Sequence, residues 1–189
     1  RGLLLYYGRL PERKAMLTLY QQNIGKLTQW SAADSSAYPD IMAELKALTD
    51  KARQALDDAV DAAGMTAALD TYCAGVVELL ITAIGPVPEL LTIAEAALYQ
   101  EKLLRAQTAY ERLTAAQRAL VSNLTELQAA QARYAQYEQD LAAARRVESL
   151  IAAIGTVTAD SLAALQRAQA AYDALTPAQR SLVSPAMLT

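Results

Sequence analysis

Few side chains in this sequence could do chemistry, and they are scattered. Cys73 is the single thiol in 189 residues. A nucleophilic cysteine needs a base or a positive field beside it. No basic cluster neighbours Cys73, which instead follows an apolar helical face of Leu69, Tyr72 and Val76. It reads as a small buried thiol. Asp57, Asp58 and Asp61 form an acidic cluster near a predicted helix end. One helix supplies too few converging oxygens for a hard cation, so the cluster reads as a solvated face. The chain has no His. That removes the usual general base, the usual zinc ligand and the carboxylate–histidine motif of di-iron bundles. No Gly-rich phosphate pattern surrounds Gly85 or Gly155. No residue is therefore assigned a catalytic, cofactor-binding or metal-binding role, no cofactor is expected, and the expectation is a non-enzyme.

The polar residues that do form a pattern are repeated ones. Residues 105–122 read RAQTAYERLTAAQRALVS and residues 167–184 read RAQAAYDALTPAQRSLVS. Upstream of each copy lies a second matching pair, VELLITAIGPV from Val77 and VESLIAAIGTV from Val147. In each LTxAQR unit, Thr114 or Thr176 suits a helix N-cap, and Gln117 or Gln179 three residues on completes a capping box. Pro177 suits the first helical position. Tyr110 and Tyr172 lie three residues before Leu113 and Leu175, on the apolar stripe, with the hydroxyl expected at the edge of the core. These patterns predict mechanics rather than ligand binding.

The elements that must carry them are helical throughout. Apolar side chains recur at steps of three and four in Met16–Tyr20–Ile24–Leu27, Ile41–Leu45–Leu48–Ala52–Leu56–Ala59–Ala63, Leu69–Tyr72–Val76–Leu80–Ala83 and Tyr99–Leu103–Ala106–Tyr110–Leu113. Such stripes give each helix one apolar face. Breakers separate them. Pro11 and Pro39 suit helix starts, while Gly64, Gly85 and Gly155 suit positions just past helix ends. The reading is helices near 11–30, 39–63, 66–84, 88–113, 124–154 and 158–175, with short helices at 115–121 and 177–183 and a loop at 31–38. The run from Leu124 to Ile154 has no breaker and is expected to be one helix joining two bundles.

The two copies are offset by 70 residues at Gly85 and Gly155, but by 62 at Tyr110 and Tyr172. The first therefore carries eight extra residues within PVPELLTIAEAALYQEKLL, close to two helical turns. The divisions expected are an N-terminal helical bundle at 1–76, a repeat module at 77–146 and a second, truncated module at 147–189. In that last module the face of Leu162, Leu165, Ala168, Tyr172 and Leu175 is expected to lack a packing partner. Trp30, Tyr6 and Tyr7 are the remaining aromatics of note, with Trp30 read as covering a bundle end.

Composition narrows the function. The formal net charge is −3, which opposes a generic affinity for nucleic acid. No window reaches the roughly 18 uncharged apolar residues of a membrane span, so no membrane insertion is expected. One cysteine permits no internal disulfide.

With these residues in view, VESLIAAIGTVTADSLAALQRAQAAYDALTPAQRSLVS resembles the small all-helical repeat modules found, often in tandem, in large cell-wall-anchored proteins of Gram-positive bacteria. Residues 147–184 match that pattern closely, and 77–146 match it with the eight-residue insertion. IMAELKALTDKARQALDDAVDAAGMTAALDTYCAGV is similar to the broadly FIVAR-like three-helix modules that accompany such repeats. The resemblance implies an all-α fold of tandem antiparallel three-helix-bundle modules sharing long connecting helices, arranged as an elongated rod. It implies an extracellular, wall-attached location through a parent protein. It also implies a structural spacer, or alternatively an adhesin-type module binding a host protein or glycan through a helix face. The partners implied are a host protein or other domains of the same parent chain. No catalytic residue comes with the pattern.

Overall fold

Side chains spaced for helix do form helices. The computed structural model describes residues 11–27, 41–86, 91–184 and 186. In order they form α1 (Pro11–Leu27), α2 (Met42–Asp58), α3 (Ala62–Thr82), α4 (Ile93–Glu111), α5 (Ala115–Arg118), α6 (Leu124–Ala152), a 3-10 turn (Ala159–Ser161), α7 (Leu162–Asp173) and α8 (Pro177–Ser181). There is no strand among the described residues. The expected loop at 31–38, Pro39, Trp30, Tyr6 and Tyr7 lie outside them.

The chain divides into two compact units. Unit 1 takes the described residues of 1–85 with 104–127. Unit 2 takes those of 86–103 with 128–189. The division falls inside α4 and inside α6, so each unit contains one part of both helices.

In unit 1, α1, α2 and α3 pack on one another, and α5 packs on α3. The core cluster is Ala52, Leu56, Met65, Leu69 and Tyr72, with Leu19 and Tyr20 of α1 against it. Gly75 lets α2 come close to α3. A Cβ there would stand 2.9 Å from Leu48 Cδ1. Tyr20 donates a hydrogen bond to Asp57, tying α1 to the end of α2. Burial, reinforced by that bond, pushes the Tyr20 hydroxyl up to about 12. By length and composition α3 is apolar enough to cross a membrane. It carries Asp70 and Glu78, and it buries Met65, Leu69, Tyr72, Ala74, Val77, Leu80 and Ile81 in this unit.

In unit 2, Ala96, Tyr99 and Leu103 of α4 are buried, as are Ala130, Tyr137, Ala144 and Val147 of α6. Ala168 of α7 and Leu175, Leu182 and Val183 after it are buried too, as is Leu91 ahead of α4. The Tyr99 and Tyr134 rings stack at 6.3 Å between centroids, and Tyr134 lies 5.8 Å from Tyr137.

The expected long helix is present. α6 runs unbroken for 29 residues, roughly 43 Å at the usual rise. Gly85 and Gly155 close α3 and α6 with positive φ of 82° and 60°, as residues just past helix ends do.

Two boundaries differ from the sequence reading. Gly64 does not end α2. That helix stops at Asp58, Ala59 turns extended, and Asp61 caps α3 by accepting from the Gly64 N–H at 2.7 Å. A carboxylate cap captured the stretch that the glycine was expected to close, and Ala63 starts α3 as an exposed residue rather than ending α2's stripe. α4 starts at Ile93 rather than near 88, because Thr92 and Glu95 form a capping box there. The Thr92 N–H donates to Glu95 Oε2 at 3.2 Å, and the Glu95 N–H donates to Thr92 Oγ1 at 3.3 Å. The face of α7, expected to be exposed in part, is exposed at its start and buried towards its end. Leu162 and Leu165 are exposed at 62% and 39%, where Leu103, the counterpart of Leu165, is exposed at only 6%. Ala168 and Leu175 are as buried as Ala106 and Leu113, and Tyr172 is half-buried like Tyr110. At that end Arg180 of α8 donates to the Asp173 carbonyl and lies over the Tyr172 ring.

The eight extra residues go mostly into helix. α4 has 19 residues and α7 has 12. Seven residues turn about 700°, within roughly 20° of two full turns, so α4 lengthens with its buried face kept.

Candidate functional site

The repeated polar residues converge at one place in each unit. In unit 1, the Thr114 N–H donates to Gln117 Oε1 at 3.0 Å, and the Gln117 N–H donates to Thr114 Oγ1 at 3.3 Å. This is the expected capping box, and it starts α5. The other end of the same side chain reaches across to α3, where Gln117 Nε2 donates to Asp70 Oδ1 at 2.8 Å. Arg118 folds back over the end of α4. Its Nη2 donates to the Glu111 carbonyl at 2.5 Å, and its guanidinium lies 5.5 Å from the Tyr110 ring centroid. A cation at a helix C-terminus meets the unpaired carbonyls and the negative end of the dipole, and the aromatic face adds a further attraction. Ser122 then donates through N–H and Oγ to Glu78 Oε1 at 2.7 and 2.5 Å. Asn123 Nδ2 donates to the Glu78 carbonyl at 3.1 Å, leaving its buried Oδ1 without a partner.

Unit 2 repeats the arrangement. The Thr176–Gln179 box closes at 3.0 and 3.2 Å and starts α8. Gln179 Nε2 donates to Asp140 Oδ1 of α6 at 3.0 Å, and Gln136 donates to the same oxygen at 3.1 Å. Arg180 donates to the Asp173 carbonyl at 2.5 Å and lies 5.5 Å from the Tyr172 ring centroid. The Ser184 N–H donates to Glu148 Oε1 at 2.7 Å. The second half of α6 thus stands in unit 2 where α3 stands in unit 1.

Apart from Asn123 Oδ1, the clasp engages the polar groups named for it. Both ends of each Gln amide are engaged, each Arg binds carbonyls of the preceding helix end, and each Asp and Glu receives donors from across the unit. Asp70 and Glu78 are eight residues apart on one helix, roughly 12 Å along its axis. That is too far for two carboxyls to share a scissile bond, since glycosidase pairs stand about 5–9.5 Å apart. No group of three or more His, Cys, Asp or Glu that could hold a metal lies among the described residues. Asp57, Asp58 and Asp61 do not converge. They bind Tyr20, Gln54 and the α3 start respectively. Cys73 is half-buried against the unit 1 core.

Two grooves open on unit 1. One, of ≈ 420 Å³, is lined by Leu48, Ala52, Ala55, Ala67, Ala68 and Tyr72. The other, of ≈ 500 Å³, is bordered by Glu44, Lys51, Glu78, Thr82, Ser122 and Asn123. The first holds no nucleophile–base pair, and the second holds the Ser122 hydroxyl on the Glu78 carboxylate, the contact already described in the clasp.

The capping residues were found in the sequence, but Asp70, Asp140, Glu78 and Glu148 were given no role there. They carry a signal, because both pairs share the 70-residue offset of Gly85 and Gly155. No known family model, characterised protein or solved structure matches the chain.

Proposed function

We propose that this chain is a non-catalytic structural segment, a spacer of a bacterial cell-surface protein that holds distal domains away from the wall. The observation that supports it most is the use made of the repeated polar residues. In both units they bind one another and the backbone. The tandem three-helix modules, the rod-like arrangement and the wall-attached location rest on the resemblance of residues 77–184.

The test is a distance and a binding measurement on the full chain. Dyes on cysteines placed at residues 14 and 181, in a Cys73→Ala background, should report one narrow separation by single-molecule energy transfer. The same protein on a sensor surface should retain no serum protein, mucosal protein or glycan. A broad or collapsing distance distribution overturns the spacer reading. Saturable capture of a host ligand favours the adhesin-type alternative instead.

A further inference from the structure

The clasp closes long stretches of chain. Ser122 meets Glu78 across 44 residues, and Ser184 meets Glu148 across 36. Unit 1 begins with α1 and α2; from α3 the chain passes through residues 86–103, which belong to unit 2, returns at 104 and leaves through Ser122 and Asn123 into α6. Between α3 and Ser122 lie the turn at Gly85, α4 and α5. The Glu78–Ser122 bond, with Asn123 on the Glu78 carbonyl, short-circuits that excursion. Tension carried by α3 passes at Glu78 to residues 122–123, and residues 79–121 are bypassed. In unit 2 the same shortcut runs from Glu148 to Ser184 and bypasses residues 149–183.

We propose that Glu78 and Glu148 are load-bearing latches, which open first when the chain is pulled along its length. The inference rests on the spacer reading, since a segment holding domains apart is a segment under tension. The chemistry suits the task. A carboxylate accepting backbone N–H and hydroxyl donors makes short, charge-assisted bonds, stronger than neutral ones. Such bonds reform when the load drops, because both partners stay fixed to helix ends by the Gln and Arg contacts beside them. Both latches pair a Glu with a Ser at matching places, but Glu78 accepts from the Ser122 N–H and hydroxyl with Asn123 on its carbonyl, while Glu148 accepts from the Ser184 N–H, so the Glu148 latch is expected to yield at the lower force.

The test is force spectroscopy on the full chain with handles at its two ends. Glu78→Ala and Glu148→Ala should each speed the first opening at a fixed force by about tenfold, the rate equivalent of losing one such bond. Thr92→Ala is the control. It removes the cap of α4, costs equilibrium stability of the ordinary size for a cap, and lies within the bypassed segment. It should leave the first opening unchanged. Equal effects of Glu78→Ala and Thr92→Ala, or no effect of either glutamate variant, overturn the latch. Should Glu78→Ala fail to fold, Glu78→Gln keeps an acceptor oxygen without the charge and should give a smaller acceleration in the same step. The outcomes separate from those of the spacer test. A missing latch with one fixed dye separation leaves the spacer standing, and a captured host ligand removes the spacer while the opening rates remain readable.

Discussion

Removing a hydroxyl from two tyrosines should have opposite effects in this chain, which has ten Tyr and no Phe. Tyr99 is 7% exposed, and its hydroxyl is buried with no hydrogen-bond partner. Burial alone raises its pKa, with Arg133 opposing. A buried polar group left unsatisfied costs about 1–3 kcal/mol. Tyr99→Phe keeps the ring stacked on Tyr134 and removes that cost. It should stabilise unit 2 by about 1–2 kcal/mol, allowing for the loss of some hydroxyl packing. At about 2–4 °C per kcal/mol for a chain of this size, the midpoint should rise by roughly 2–8 °C. Tyr20→Phe makes the same chemical change where the hydroxyl is bonded to Asp57. It should destabilise unit 1 by about 0.5–1.5 kcal/mol, the range for a hydrogen bond that water still reaches. Urea unfolding followed by circular dichroism, with Trp30 fluorescence as a second probe, measures both. A loss of stability in Tyr99→Phe would refute the reasoning, since it would mean that the hydroxyl has a partner such as an ordered water.

Three further outcomes are expected. Thr114→Ala and Thr176→Ala should each cost about 0.5–2 kcal/mol by thermal unfolding, and by similar amounts, because their capping boxes match in geometry; a cost confined to one copy would mean that the clasps are not equivalent. Tyr20 has its folded pKa raised from 10.0 to about 12, so its contribution is complete below pH 10 and fades as pH rises through 12; the part of an alkaline unfolding titration that Tyr20→Phe removes should fall in that window. Gly155→Ala should cost about 1–2 kcal/mol in a melt through its φ of 60° alone, because a Cβ there meets nothing within 4 Å.

The sequence revealed the helices because their apolar spacing is local. It revealed α6 as one piece because no Gly or Pro interrupts residues 124–152. The capping boxes were legible for the same reason, as each closes within three residues. Where two local signals competed, the reading failed. At 58–64 an Asp cap overruled a glycine, and at 88–93 a Thr–Glu box set the start of α4. The bridges from Gln117 to Asp70 and from Gln179 to Asp140 join residues 47 and 39 apart. No periodicity encodes such a pair, so only the comparison of the two copies could have exposed it.

The difference in length between α4 and α7 says something about how such a chain can change over generations. Their clasped ends align without a gap, and the difference in length lies at the far end. Seven added residues rotate the new turns by only about 20°, so the lengthened helix still offers its old face to its neighbours. Six would rotate it by about 120°, and nine would reverse it. Insertions in these helices should therefore survive in near-whole turns and be lost otherwise. The repeat can then grow or shrink by steps of roughly 10 Å while its polar joints are inherited unaltered.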